Sequence, residues 1–145
     1  MSSKVDINKL AHEIPLKILV AEDNLINQKF LVSLLNIMGY KPSSVLNGKE
    51  VLEIMERESF DIIFMDIQMP EMSGVEATQI IMEKYAPAER PYIIAITANA
   101  LSQDRERCLE MGMDDFMVKP VNIKLLQSTL EKWGRKVERK FSADV

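Results

Sequence analysis

Short apolar runs in this chain stop on residues that can do chemistry. Glu22 and Asp23 follow Lys17–Ala21, Asp66 follows Ile62–Met65, Thr97 closes Tyr92–Thr97, and Lys119 with Pro120 follows Phe116–Val118. Each has an ordinary explanation when taken singly. An acid after a strand is often only a favourable charge at a helix N-terminus, a terminal threonine hydroxyl can be idle, and a lone lysine is usually solvated. Gathered on one sheet edge they mean more. Ionised carboxylates about 4 Å apart repel by roughly 1 to 4 kcal/mol at dielectrics between 80 and 20. A hard divalent cation relieves that repulsion, and an all-oxygen donor set suits Mg²⁺. With Lys119 as a second positive charge, such a site can hold phosphoryl oxygens while one carboxylate acts as nucleophile. Asp66 is the sharpest case, because the Pro70-containing loop Gln68–Gly74 follows it.

The elements that would gather these residues are legible as a rhythm. The four runs are too short for helices and rich in β-branched or aromatic residues, so they read as strands buried on both faces. Lys41–Val45 is more polar and suits an edge strand. Between the runs lie helical patterns with start signals. Asn24 caps a helix carrying Ile26, Phe30, Leu34 and Met38, stopped by Gly39. Asn47 with Glu50, and Ser73 with Glu76, have capping-box spacing. Leu101–Met111 ends at Gly112, and Asn122 precedes a helix with Leu126, Leu130 and Trp133 on one face. The result is an α/β chain of (βα)5 type, a parallel sheet covered by helices through right-handed crossovers. Ligands to such a sheet bind beyond the carboxyl ends of its strands.

Composition narrows the function classes. The 145 residues favour one domain, and 47% apolar with 28% charged residues fits a folded globular chain. A net charge of −4 without a basic cluster argues against direct nucleic-acid binding. The one cysteine, Cys108, excludes an internal disulfide, leaves with His12 no soft zinc set, and fits a cytoplasmic location. No apolar stretch approaches the roughly 18 residues of a membrane span, so no membrane contact is expected. Residues 1–15 and 137–145 read as an N-terminal flank, able to dock as a short helix, and a polar C-terminal tail.

These residues resemble a known family. Lys17–Asn24 with its Glu22-Asp23-Asn24, Asp61–Pro70 followed by Ser73-Gly74, Ile96-Thr97-Ala98, and Phe116–Pro120 are similar to the signatures of two-component response regulator receiver domains. They occur in order, with 43, 31 and 22 residues between Asp23, Asp66, Thr97 and Lys119, and cover residues 16–136. The Glu-Asp-Asn opening and Thr97–Ala100 look most like receivers at the C-terminal end of hybrid sensor histidine kinases. The resemblance implies a flavodoxin-like (CheY-like) doubly wound sheet of order 2-1-3-4-5. It makes Asp66 the phosphoacceptor, and Asp23, Asp66 and the Gln68 backbone carbonyl the Mg²⁺ ligands, with Glu22 acting through water. Lys119 would pair with the phosphoryl group, Thr97 would move to hydrogen-bond it, and Phe116 would follow. Lys119–Pro120 would be cis. The readout surface would be the helix after the fourth strand, the fifth strand and the last helix.

Two positions depart from the commonest family pattern. Glu22 stands where aspartate is frequent, which extends the carboxylate by one methylene. Phe116 replaces a frequent tyrosine, so no phenolic hydroxyl is available and the coupling to Thr97 loosens. Other residues have plain readings: Met65, Met69 and Met72 as core and loop filling, Cys108 as a small buried hydrophobe, Trp133 as packing, and His12 without a role.

Three rival readings are weighed on the same residues. A haloacid-dehalogenase-type hydrolase needs an acid two residues after its nucleophile, where this chain has Gln68. A nucleotide or flavin module needs a glycine-rich turn where this chain has Ala21–Asn24. A scaffold receiver that has lost phosphorylation would lack one of the acidic, hydroxyl or amine positions, and none is lost. The expected partners are a histidine kinase domain or histidine phosphotransfer protein, with homodimerisation left open. The activity expected is self-phosphorylation and autodephosphorylation, without an external small-molecule substrate. Residues 137–145 are too few for a DNA-binding domain, so the chain reads as part of a hybrid kinase or as a stand-alone relay protein.

Overall fold

The computed structural model describes residues 7–98 and 102–143. Five strands, β1 (Ile18–Ala21), β2 (Ser43–Val45), β3 (Ile62–Asp66), β4 (Tyr92–Thr97) and β5 (Asp115–Val118), form one sheet. All neighbours are parallel and the order is β2-β1-β3-β4-β5. The more polar β2 lies at the edge, as its composition suggests.

Alternation along the strands divides the core into two layers. Ile18, Val20, Ile62 and Phe64 face the helices α1 (Leu10–Glu13), α2 (Leu25–Ile37) and α6 (Ile123–Ala143). Leu19, Ala21, Ile63 and Met65 face α3 (Gly48–Met55), α4 (Gly74–Lys84) and α5 (Ser102–Glu110). Cys108, the one cysteine of the chain, is buried in the second layer. Trp133 packs α6 to the sheet, 5.0 Å from the Tyr92 ring, and its Nε1–H donates to Asp115 on β5 at 2.9 Å.

The start signals work through their side chains. Asn24 accepts from the N–H groups of Ile26 and Asn27, and Asn122 accepts from those of Lys124 and Leu125. Ser73 and Glu76 exchange both bonds of a capping box. At Asn47 the pattern is split: Asn47 accepts from the Glu50 N–H, but the Glu50 carboxylate turns to the Leu46 N–H. Gly39, at φ +96°, ends the turn after α2 in a conformation that side chains rarely adopt. The start of the helix read from Leu101 lies outside the described residues, as do Asn99 and Ala100; the helix itself is seen from Ser102.

The expected apolar face of α2 needs correction. Leu34 and Met38 are buried, but Ile26 is 79% and Phe30 47% exposed. Residues spaced by four advance about 40° per step around a helix, so a strict i+4 row drifts off the core. The buried stripe instead alternates its steps, through Gln28, Leu31, Leu34, Leu35 and Met38.

Both flanks carry structure. A 3₁₀ turn (Ile7–Lys9) and α1 dock where the strands begin, with Leu10 and Ile14 buried. The Ala11 N–H donates to the Met38 carbonyl at 2.9 Å, and the Tyr40 hydroxyl donates to the Ile14 carbonyl at 2.6 Å. Burial, and secondarily Glu131, pushes the Tyr40 pKa well up. Helix α6 runs past residue 136 to Ala143, with Val137 buried. Among the described residues no helix is long and apolar enough to cross a membrane.

Candidate active site

The parallel register brings the strand ends together. Ala21 pairs with Met65, Asp66 with Ile96, and Thr97 with Val118, so the residues at or just after these positions share one edge. There, Glu22, Asp23, Asp66, Gln68, Thr97 and Lys119 line an open cleft of about 1080 Å³. Ligand oxygens of Glu22, Asp23 and Asp66 lie within 4.8 Å of one another. Glu22 and Asp66 are buried, whereas Asp23 faces solvent.

Local hydrogen bonds fix each acid. Asp66 ends β3, and its Oδ1 accepts from the Gln68 N–H at 3.1 Å. Helix α4 begins against it: a Cβ on Gly74 would collide with the Asp66 carbonyl oxygen and Met65 Cγ, so the Ser73-Gly74 pair needs glycine for close approach. Glu22, 3% exposed, accepts from the Asn24 N–H through Oε2 at 3.1 Å. Its Oε1 lies 2.8 Å from Lys119 Nζ, and Asp66 Oδ2 lies 3.1 Å from the same nitrogen. Burial pulls the Lys119 pKa down, but the hydrogen bonds and charges of Glu22 and Asp66 outweigh it, and the net shift is upward. Lys119 is held by its N–H donating to the Thr97 carbonyl at 2.8 Å, and the Lys119–Pro120 peptide is cis.

Thr97 is buried on β4 and borders the cleft. Phe116 lies half-buried on β5 outside the lining, under the guanidinium of Arg105 at 4.9 Å. His12 is on α1, away from the cleft.

Two neighbours of the site carry no signature in the sequence motifs. Gln28 is a polar residue in the buried stripe of α2, and that position within an apolar row was the available signal. Leu25, Ile26 and Phe30 form an exposed apolar face on the same helix, whose first turn borders the cleft through Asn24 and Asn27. Ile26 and Phe30 share helical spacing with the buried Leu34 and Met38, which hides their exposure from a linear reading.

The response regulator receiver domain model matches residues 18–131. The chain belongs to this family. It is a receiver domain of the two-component phosphorelay type, homologous to those of hybrid histidine kinases. It is 43% identical to hybrid signal transduction histidine kinase H of Dictyostelium discoideum, over 81% of this chain and 9% of that protein. It is 40% identical to histidine protein kinase 1 of Candida albicans, over 90% of this chain and 6% of that protein. The receiver thus spans under a tenth of these two relatives.

Among solved structures, the receiver of sensor histidine kinase PA1611 from Pseudomonas aeruginosa is similar with a TM-score of 0.74 and 39% identity, over 82% of this chain and 97% of that one. That structure has a magnesium ion coordinated in its active site cleft. The receiver of Ssk1 from Saccharomyces cerevisiae, solved with the histidine phosphotransfer protein Ypd1, gives a TM-score of 0.76 and 32% identity, over 82% of this chain and 88% of that one.

Proposed function

We propose that this receiver takes a phosphoryl group from a phosphohistidine onto Asp66, in a Mg²⁺-dependent step, and that its parent protein is a hybrid sensor histidine kinase. The observation that carries the reading is the meeting of Glu22, Asp23 and Asp66 around one point, with Lys119 beside them. Three carboxylates and one ammonium sum to a formal −2, which a single divalent cation would neutralise. The donor set is all oxygen, as a hard cation requires. Asp23, Asp66 and the Gln68 carbonyl would hold Mg²⁺, with Glu22 acting through water. When bound, the ion supplies charge neutralisation for the transferring phosphoryl oxygens.

The chain's own residues do the rest. A carboxylate oxygen of Asp66 attacks phosphorus, the P–N bond to the donor imidazole breaks, and the imidazole keeps the electron pair and takes a proton from water. Lys119 then pairs with the phosphoryl oxygens in place of the lost Asp66 charge, and Thr97 moves to hydrogen-bond them. Phe116 and the loop after β4 carry the change to the face of α5, β5 and α6. In dephosphorylation water attacks phosphorus, the P–O bond to Asp66 breaks, and the carboxylate is regenerated as inorganic phosphate leaves.

The donor would be a histidine kinase domain or a histidine phosphotransfer protein. It would dock on Leu25, Ile26 and Phe30, the exposed apolar face beside the cleft. A single cysteine, Cys108, with no second one for an internal disulfide, fits a cytoplasmic setting.

The deciding experiment is transfer from a ³²P-labelled histidine phosphotransfer protein. Wild type should acquire a hydroxylamine-labile label, and Asp66→Asn should acquire none while keeping its circular dichroism. A label retained in Asp66→Asn would place the acceptor elsewhere.

A further inference from the structure

The buried amide of Gln28 sits on the underside of the loop that carries Glu22 and Asp23. Its Nε2 donates to the Glu22 carbonyl at 3.2 Å and to the Val45 carbonyl at 2.9 Å. The Val45 carbonyl also accepts the Glu22 N–H, at 3.1 Å. Ala21↔Val45 is the last registered pair of β1 and β2, so these groups lie just where the ladder stops. A carbonyl buried at that point needs a donor from elsewhere, and an amide with two N–H groups can serve two carbonyls at once. A leucine would fill the stripe but remove the tie between α2 and the Glu22 and Val45 carbonyls, and a glutamate would set a carboxylate against two carbonyl oxygens.

The consequence reaches the acids directly. The Glu22 peptide is gripped on its N–H by β2 and on its carbonyl by α2, and Asp23 is the next residue. Asp66, the third acid, is anchored separately at the end of β3. The separation between the two groups of oxygens therefore depends on how firmly the β1–α2 loop is tied. We propose that Gln28 is a positioning residue for the cation site, setting Glu22 and Asp23 at the distance from Asp66 at which a divalent ion can bridge them. This rests on the reading of the acidic cluster as a Mg²⁺ site.

The test is Mg²⁺ binding by titration calorimetry on the full chain, with no phosphodonor present, at a temperature where circular dichroism shows every variant folded. Gln28→Met keeps length and volume and removes both donors. Leu31→Ala, in the same buried stripe but without a bond to the loop, is the control for general loosening, and Asp23→Ala defines loss of the site. Gln28→Met is expected to weaken Mg²⁺ binding about tenfold, the scale at which groups behind metal ligands act, with Leu31→Ala within twofold of wild type. Equal affinity in Gln28→Met and wild type overturns the role, as does an equal weakening by Leu31→Ala. A wild-type chain that takes up no Mg²⁺ removes the cation reading itself, a different outcome from a wild type that binds and a Gln28→Met variant that binds as well.

Discussion

Lys119 Nζ lies 2.8 Å from Glu22 Oε1, closer than its 3.1 Å to Asp66 Oδ2. The ammonium is thus shared between the acid proposed to take phosphate and one that keeps its charge. Glu22, longer than aspartate by one methylene, reaches the lysine directly. Loss of the Asp66 charge on phosphorylation leaves Lys119 held by Glu22 and free to turn to the new phosphoryl oxygens.

That pairing has a signature at high pH. Lys119 is raised above the ordinary lysine value of 10.5 in the folded state. Its stabilising contribution is fully present below 10.5 and is lost as pH rises through the higher folded value. Comparing wild type with Lys119→Met by urea unfolding, the difference in unfolding free energy should be flat from pH 7 to 10. Above 10.5 it should move against the wild type. A difference that stays constant to pH 12 would contradict the ion pair.

The exposed face of α2 makes a kinetic prediction. Ile26→Glu alters a residue 79% exposed, so its stability should stay within about 0.5 kcal/mol of wild type. Transfer from a phosphorylated histidine protein should fall by roughly 5- to 30-fold, the effect of removing one interface anchor. Labelling by a small phosphodonor such as acetyl phosphate should not change. Equal loss with both donors would place the defect in the cleft instead.

Arg105 covers the ring of Phe116 at 4.9 Å. A double-mutant cycle with Arg105→Ala and Phe116→Leu, read by urea unfolding, should give a coupling of about 0.5–1 kcal/mol, the range for an exposed cation–π pair. Arg105→Lys should retain part of it. Additive single effects would mean that the guanidinium merely lies over the ring.

Helix α1 is a stability element rather than a loose leader. Leu10 is fully buried, so Leu10→Ala should cost about 2–5 kcal/mol in urea unfolding. Label incorporated per folded molecule should stay at the wild-type level, because α1 docks at the end of the sheet opposite the acids. A cost below 1 kcal/mol would mean that residues 7–16 are only laid on the surface.

The fold and the site differ in what a linear reading could supply. Strands with apolar runs buried on both faces, and helices opened by Asn24, Asn47, Ser73 and Asn122, are local patterns. Chain order then constrains the sheet, because parallel crossovers have one hand. Residues such as Glu22, Asp66 and Lys119 were legible because strand ends of a parallel sheet share an edge. Three things were not legible. Ile26 and Phe30 repeat at helical spacing yet face solvent, since which of two overlapping apolar stripes is buried depends on the angle at which α2 meets the sheet. Gln28 reads as a polar interruption until the carbonyls of Glu22 and Val45, brought together from separate segments, are seen to accept from its amide. Residues 7–16 carry too short a pattern to declare a face, and only the groove closed by Met38, Tyr40 and Gly134 shows where Leu10 and Ile14 go. Sequence determined the elements and their order, because propensity and periodicity act over neighbours in the chain. Tertiary structure decided which apolar faces are covered and how the acids are held apart, because both depend on contacts between segments that no local pattern encodes.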